Sequence, residues 1–150
     1  MISYTAPRDK AIAYSAGLGS ALQNERGILW QILKSIPMDK VWLYDNITEN
    51  LQVVTSSDPH FYTTVYKVSK DLLLVLTANT GENGSSVLQL DTSALGLIGK
   101  YSVTEMKGTD LKSFMTRSYG MVENGTINTG LMGKYEIRGY KLERIISGSK

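Results

Sequence analysis

Few residues in this sequence have the types and spacing that metal or acid–base chemistry requires. His60 is the only histidine and there is no cysteine, so one chain cannot build a multi-histidine or thiolate metal site. Asp58, His60 and Asp71 could converge on a metal ion. However, Asp58-Pro59-His60 also has the composition of an exposed turn that leads into a strand, and we favour that interpretation. The sequence therefore predicts no metal site and no cofactor.

The side-chain patterns of hydrolytic enzymes are also weakly represented. A serine–histidine–acid triad would have to use His60, and no Gly-x-Ser-x-Gly turn accompanies it. Cleavage of a glycosidic bond needs a pair of carboxylates, whereas the acidic residues here fall mostly in predicted turns or at strand ends. Their spacing selects no pair, which is typical of solvated surface charge. We therefore predict no catalytic residue and expect that the chain alone is not an enzyme.

Aromatic residues point to two different uses. Trp42 and Tyr44 alternate along one predicted strand, and Tyr62 lies on another. Flat rings stack on sugar faces, so these three residues are candidates for a carbohydrate-binding platform. Alternatively, the rings fill a seam between the sheet and a helix that carries Trp30, because large aromatic side chains dominate buried interfaces. We favour the seam for Trp30, Trp42 and Tyr44, and the carbohydrate-binding platform is the alternative.

Length and composition indicate one folded domain with an attached helix. The chain has 150 residues, of which 42% are hydrophobic and 20% charged, which is ordinary for a folded protein. The net charge of +2, with Lys and Arg scattered, predicts neither a nucleic-acid partner nor a membrane partner. No apolar stretch is long enough to span a bilayer, and residues 1–20 lack the apolar core of a signal peptide. The compartment is unknown, and an extracytoplasmic location in a bacterium would require a signal outside this sequence.

An amphipathic helix is predicted before Pro37. Apolar residues recur at intervals of three, four or seven: Leu18, Leu22, Leu29, Ile32, Leu33 and Ile36. Ser20 is a suitable N-cap, and proline disfavours helical geometry in the residue before it. We therefore expect a firm helix over 20–35, within an N-terminal helical segment 1–37.

After Pro37 the apolar period changes to two, which predicts strands. The segment 72–76 is apolar in both phases, as in a central strand of a sheet that is covered on both faces. The predicted strands are near 40–45, 51–56, 61–69, 72–79, 86–91, 100–106, 118–123, 126–128 and 135–144. Short strands with close turns predict a mainly β protein, an antiparallel sandwich of about eight or nine strands over 38–146, with the helix packed against it. The tail 147–150 is expected to fray.

The last predicted strand changes phase at Gly139. Tyr135 and Ile137 alternate in one phase, whereas Tyr140 and Leu142 alternate in the other. A change of phase at a glycine predicts a β-bulge.

The order of several short motifs resembles one known architecture. The end of the predicted helix, Trp-Gln-Ile-Leu-Lys-Ser-Ile-Pro over 30–37, is followed by Val-Trp-Leu-Tyr-Asp-Asn over 41–46 and by the leucine-rich 72–79. Leu-Asp-Thr-Ser-Ala-Leu-Gly-Leu over 90–97 comes next, and 135–142 closes the series. This succession, over about 20–144, resembles the end of α-galactosidase-like (β/α)₈-barrel glycoside hydrolases, where the last barrel helix leads into a C-terminal antiparallel β-sandwich.

The resemblance implies a function without turnover. In those families the catalytic carboxylates belong to the barrel, so no catalytic residue is carried over to this chain. The first hypothesis is an accessory sandwich of a carbohydrate-active enzyme that stabilises or docks to a catalytic barrel. The alternative is a carbohydrate-binding module with Trp42, Tyr44 and Tyr62 exposed. Without a barrel, the helix and first strand would expose an apolar patch that self-association could cover.

Overall fold

The computed structural model describes residues 28–37, 40, 42–45, 53–108 and 113–146. Within these ranges the helices and strands are, in chain order, α1 (Ile28–Leu33), β1 (Trp42–Asp45), β2 (Val54–Ser56), β3 (Phe61–Ser69), β4 (Leu72–Asn79), β5 (Val87–Leu90), α2 (Thr92–Leu95), β6 (Tyr101–Gly108), β7 (Met115–Val122), β8 (Thr126–Asn128) and β9 (Ile137–Arg144). α1 lies inside the predicted helix 20–35, of which residues 20–27 are outside the described ranges, as is the tail 147–150. Neither described helix is long and apolar enough to cross a membrane.

The described strands form two antiparallel sheets, which confirms a mainly β fold. The larger sheet has six strands in the order β1-β3-β4-β9-β6-β7, and the smaller has three in the order β2-β5-β8. β4 lies between β3 and β9 in the larger sheet and is buried from Leu73 to Asn79. The double-sided apolar pattern of 72–76 therefore predicts its central position correctly, because both of its faces are covered.

Each face of β4 belongs to a different apolar layer. Leu73 and Val75 pack between the two sheets, together with Leu88 and Leu90 of the smaller sheet. Leu74 and Leu76 lie on the outer face of the larger sheet. We call this second set the helix-covered layer; its buried members are Ile32, Leu33, Ile36, Tyr66, Leu74, Leu76, Ala78, Met106 and Ile137.

The β-bulge predicted at Gly139 is wrong. Gly139 pairs with Leu76 on one side and with Met106 on the other, in an unbroken register along β9. The change of phase has another cause: Ile137 is buried in the helix-covered layer, whereas Tyr140 is buried between the sheets. An inner strand that is covered on both faces shows apolar residues in both phases without any extra residue.

Candidate functional site: the helix-covered layer and a buried ionic cluster

The helix-covered layer is built by α1 lying on the backbone of β9. A Cβ atom at Gly139 would overlap the Ile32 side chain and would lie 3.4 Å from Leu74 Cδ1. Glycine at this strand position therefore lets the helix approach the sheet closely. Because a helix of six residues is marginal in water by itself, the burial of Ile32, Leu33 and Ile36 must account for much of its stability.

The layer has a border of partly buried apolar residues. Ile28, Val68, Leu72, Phe114 and Tyr135 pack against the buried members but keep part of their surface accessible. Lys34, just after the helix, is exposed. A second protein could therefore bind to this apolar border beside the helix.

The other unusual feature is a cluster of buried charges between the sheets. Glu105 on β6 is 2% exposed and Arg138 on β9 is also 2% exposed. The Tyr140 hydroxyl donates to Glu105 Oε2 at 2.9 Å, Arg117 Nε donates to Glu105 Oε1 at 2.6 Å, and Arg138 Nη1 lies 3.4 Å from Glu105 Oε2. These strong partners offset the desolvation of the buried carboxylate.

Arg138 also organises the segment between β8 and β9. Its guanidinium donates to the carbonyl oxygen of Thr129 and, at 3.1 Å, to that of Leu131. It donates through Nη2 to Glu136 Oε2 at 2.6 Å. One buried side chain therefore ties three places along 129–136 to the sandwich.

The charges of the cluster stabilise one another. Burial alone would raise the pKa of Glu105, but the hydrogen bonds from Arg117 and Tyr140 and the positive charges of Arg138 and Arg117 outweigh it and hold that pKa below its usual range. Burial raises the pKa of Tyr140, and the adjacent Glu105 carboxylate adds to this rise, although the hydrogen bond with Arg138 opposes it. Burial would lower the pKa of Arg138, but the hydrogen bond to Glu136 outweighs this and the pKa is raised.

This cluster holds structure rather than offering a reactive group. In the part of the chain that the structure describes, every buried side-chain nitrogen and oxygen has a hydrogen-bond partner. Sequence reasoning missed Glu105 and Arg138, although a signal was present. On β6, Glu105 alternates in the same phase as the buried Tyr101 and Val103. On β9, Arg138 alternates in the same phase as the buried Tyr140 and Leu142. Each strand therefore has a charged residue at a position where the alternation predicts a buried apolar one.

The aromatic platform stays a prediction. β1 contains Trp42 opposite Lys67 and Tyr44 opposite Val65, and the side chains of β1 lie outside the described part of the structure. Tyr62 is half-buried on β3, in the same phase as Tyr66 of the helix-covered layer. Self-association through the helix and first strand, and the division into segments 1–37 and 38–146, likewise stay predictions.

The three residues considered for a metal do not meet. Nδ1 of His60 lies 3.1 Å from Oδ1 of Asp58, and Phe61 N–H donates to Asp58 O at 3.0 Å, which closes an exposed turn. Asp71 instead pairs with Arg144 Nη1 at 3.3 Å. Among the described residues, no group of three or more His, Asp or Glu is arranged to hold a metal ion.

Comparisons with known proteins give one similar structure. No protein-family model and no curated protein matches the chain. A glycoside hydrolase family 27 β-L-arabinopyranosidase from Geobacillus stearothermophilus, crystallised as a variant in complex with arabinose, is similar over 59% of this chain, with a TM-score of 0.43 and 10% identity. The aligned part amounts to 18% of the length of that enzyme.

Proposed function

We propose that this chain is a non-catalytic accessory β-sandwich of a carbohydrate-active enzyme and that it docks to a catalytic barrel through the helix-covered layer. The observation that carries the proposal is the close seating of α1 on the outer face of the larger sheet, with Ile32 against Gly139. The resemblance of the sequence motifs to the C-terminal sandwich of α-galactosidase-like hydrolases supports the identity of the partner.

A second apolar layer supports docking because the sandwich does not need it to close. The apolar residues between the two sheets already form a core of their own. The outer face of the larger sheet nevertheless buries Tyr66, Leu74, Leu76 and Met106, in the same layer as Ile32 of α1. The larger sheet thus carries apolar area on both faces, and the partly buried border of the outer layer is the area that a docked partner would cover.

The position of α1 along the chain agrees with this role. In the resembled architecture the helix that precedes the sandwich is the last helix of the barrel, and here α1 precedes β1 in the order of the described elements. A barrel that supplies or flanks such a helix would cover the border residues Ile28, Leu72 and Phe114. Interfaces between domains of one chain bury about 600–1,500 Å², and this border together with the exposed Lys34 just after α1 would contribute to that area.

Titration against a barrel tests the docking. The barrel of an α-galactosidase-like hydrolase, produced without its own sandwich, is mixed with this chain and followed by sedimentation velocity. We expect a one-to-one complex that Lys34→Glu weakens, because Lys34 is exposed beside α1. The matched control is Lys100→Glu, which changes an exposed lysine just before β6 and should leave the complex intact. Absence of a complex, or equal effects of the two substitutions, would contradict the proposal.

A turnover assay tests the non-catalytic part. The chain alone should hydrolyse no nitrophenyl glycoside, because the proposal assigns the reacting carboxylates to the barrel. Reproducible hydrolysis that one carboxylate substitution in this chain abolishes would overturn it.

A further inference from the structure

Three loops meet at the end of the sandwich where β2, β4 and β8 finish. They span 57–60, 80–84 and 129–136. Thr80 N–H donates to His60 O at 2.9 Å, which joins the first two loops. Gly84 N–H donates to Met132 O at 3.0 Å and Met132 N–H donates to Gly84 O at 2.7 Å, which joins the second to the third. The middle loop is therefore held between the other two by backbone hydrogen bonds.

The buried side chain of Asn79 fixes this arrangement from below. Asn79 is fully buried, and its Nδ2 lies within hydrogen-bond distance of the carbonyl oxygens of Glu82 (2.8 Å), Met132 (3.2 Å) and Gly133 (3.2 Å). Its Oδ1 accepts from Gly81 N–H at 2.9 Å. The NH2 and C=O groups of this one side-chain amide thus fix the backbone of two loops, so the exposed side chains of these loops project from a rigid backbone.

The backbone of the third loop is held in an unfavourable conformation. Tyr135 has φ = +66°, a region that side chains other than glycine rarely adopt. It is kept there because Tyr135 N–H donates to Asn79 O at 2.6 Å and Lys134 N–H donates to Asn83 Oδ1 at 3.0 Å. The result is that Lys134 Nζ lies 3.4 Å from Glu82 Oε2 and 5.3 Å from the centre of the Tyr135 ring.

The first loop brings a second pair of polar groups to the middle loop. The His60 ring packs on Gly81, where an added Cβ would come within 2.7 Å of His60 Cγ. Because Nδ1 of His60 faces Asp58 Oδ1 at 3.1 Å, the opposite ring nitrogen, Nε2, is directed away from that carboxylate. The side chains of His60 and Glu82 are 65% and 88% exposed, so both can reach a ligand.

We propose that Asp58, His60, Glu82 and Lys134 form a binding site for a neutral sugar. The two carboxylates accept hydrogen bonds from hydroxyl groups, and the Lys134 ammonium and the His60 ring donate to hydroxyl oxygens. An anion would face two carboxylates, and a cation would face the ammonium group. Hydroxyl groups are donors and acceptors at once, so a neutral polyhydroxy ligand satisfies both kinds of partner. This site goes beyond the docking function, and among the described residues its three loops contribute only Tyr135 to the border of the helix-covered layer.

The single histidine provides a direct probe of this site. Glucose, galactose and xylose are titrated separately into the full chain, and the ring C–H signals of His60 are followed by proton NMR. We expect saturable shifts with at least one of these sugars. Glu82→Gln and Lys134→Met should each weaken binding about tenfold, since each removes a hydrogen bond to a charged group. The control Glu123→Gln changes an exposed carboxylate in the turn after β7, and it should leave the affinity unchanged.

Other outcomes would overturn the proposed site. The His60 signals are also followed during titration with sodium sulfate and with calcium chloride. Saturable shifts with either salt but with no sugar would identify an ion site instead. Failure of all three sugars to shift the His60 signals, or an equal loss of affinity in the Glu123→Gln control, would also contradict the proposal. Because neither Glu82 nor Lys134 is among the described members of the helix-covered layer or its border, barrel docking should survive both substitutions, which separates failure of this site from failure of the docking function.

Discussion

The side chain of Ile32 on α1 rests directly on Gly139 of β9, where any larger residue would overlap it. This contact joins the helix to the centre of the six-stranded sheet, because β9 lies between β4 and β6. The outer face of that sheet is therefore an interior surface, and the helix is its nearest cover. The docking function that we propose depends on this contact.

Enlarging Gly139 should displace the helix. In Gly139→Ala the added methyl group overlaps the branched side chain of Ile32, which has little rotamer freedom. We expect a loss of about 1–3 kcal/mol in the free energy of unfolding, measured by urea titration. Ile32→Ala in the Gly139→Ala background should recover part of the loss, because the smaller side chain makes room. Strictly additive effects of the two substitutions would show that the contact is not the cause.

Removing the buried guanidinium of Arg138 should be far more damaging than removing the partly exposed guanidinium of Arg144. Arg138→Met leaves Glu105 and Glu136 without a buried cationic partner and frees the carbonyl groups of Thr129 and Leu131. We expect a loss of about 3–5 kcal/mol in the free energy of unfolding. The control Arg144→Met breaks a more exposed pair with Asp71 and should cost about 0–1 kcal/mol. Similar losses in the two variants would contradict the role given to the cluster.

Glu105 should make the fold sensitive to acid. Its pKa is held below the ordinary value, so its contribution is complete above the unfolded-state pKa of about 4.3 and is lost as the pH falls through the lower folded-state pKa. Urea titrations of wild type and Glu105→Gln at neutral pH and at successively lower pH values measure this. We expect Glu105→Gln to be less stable at neutral pH and to lose less stability on acidification. Parallel pH profiles would refute the assignment.

Tyr140 should make the fold sensitive to alkali in the opposite sense. Its pKa is raised, so its contribution is complete below the unfolded-state pKa of about 10 and is lost as the pH rises toward the folded-state pKa. Tyr140→Phe should flatten the decline of stability at alkaline pH, which denaturant titrations across that range measure. A decline as steep as in the wild type would mean that another group causes it.

The sequence predicted the strands best where packing follows a local pattern. The bounds predicted for β3, β4 and β8 coincide with those in the structure, since apolar alternation and flanking turns define them. β7 begins at Met115, earlier than the predicted 118, because its first residues pair with β6 while their side chains remain exposed. Because the side chains at the start of this edge strand are exposed, the sequence there shows no apolar alternation from which a strand could be predicted.

The polar features of the fold were harder to predict because they depend on distant partners. Glu105 and Arg138 are 33 residues apart in the chain, and only the pairing of β6 with β9 brings them together. The three-loop site has the same character, since Gly84 and Met132 meet through the fold rather than through any motif. The turn at Asp58–His60, which depends on adjacent residues alone, was predicted correctly.

Hydrogen exchange of the chain with and without the barrel is the most direct test of the docking function. Backbone amides are compared by mass spectrometry, alone and in the presence of an α-galactosidase-like barrel that lacks its own sandwich. The account predicts that the barrel slows exchange in α1 and around the border residues Val68, Leu72 and Phe114, with no change at loops 57–60 and 80–84. Unchanged exchange in α1, or protection confined to those loops, would contradict it.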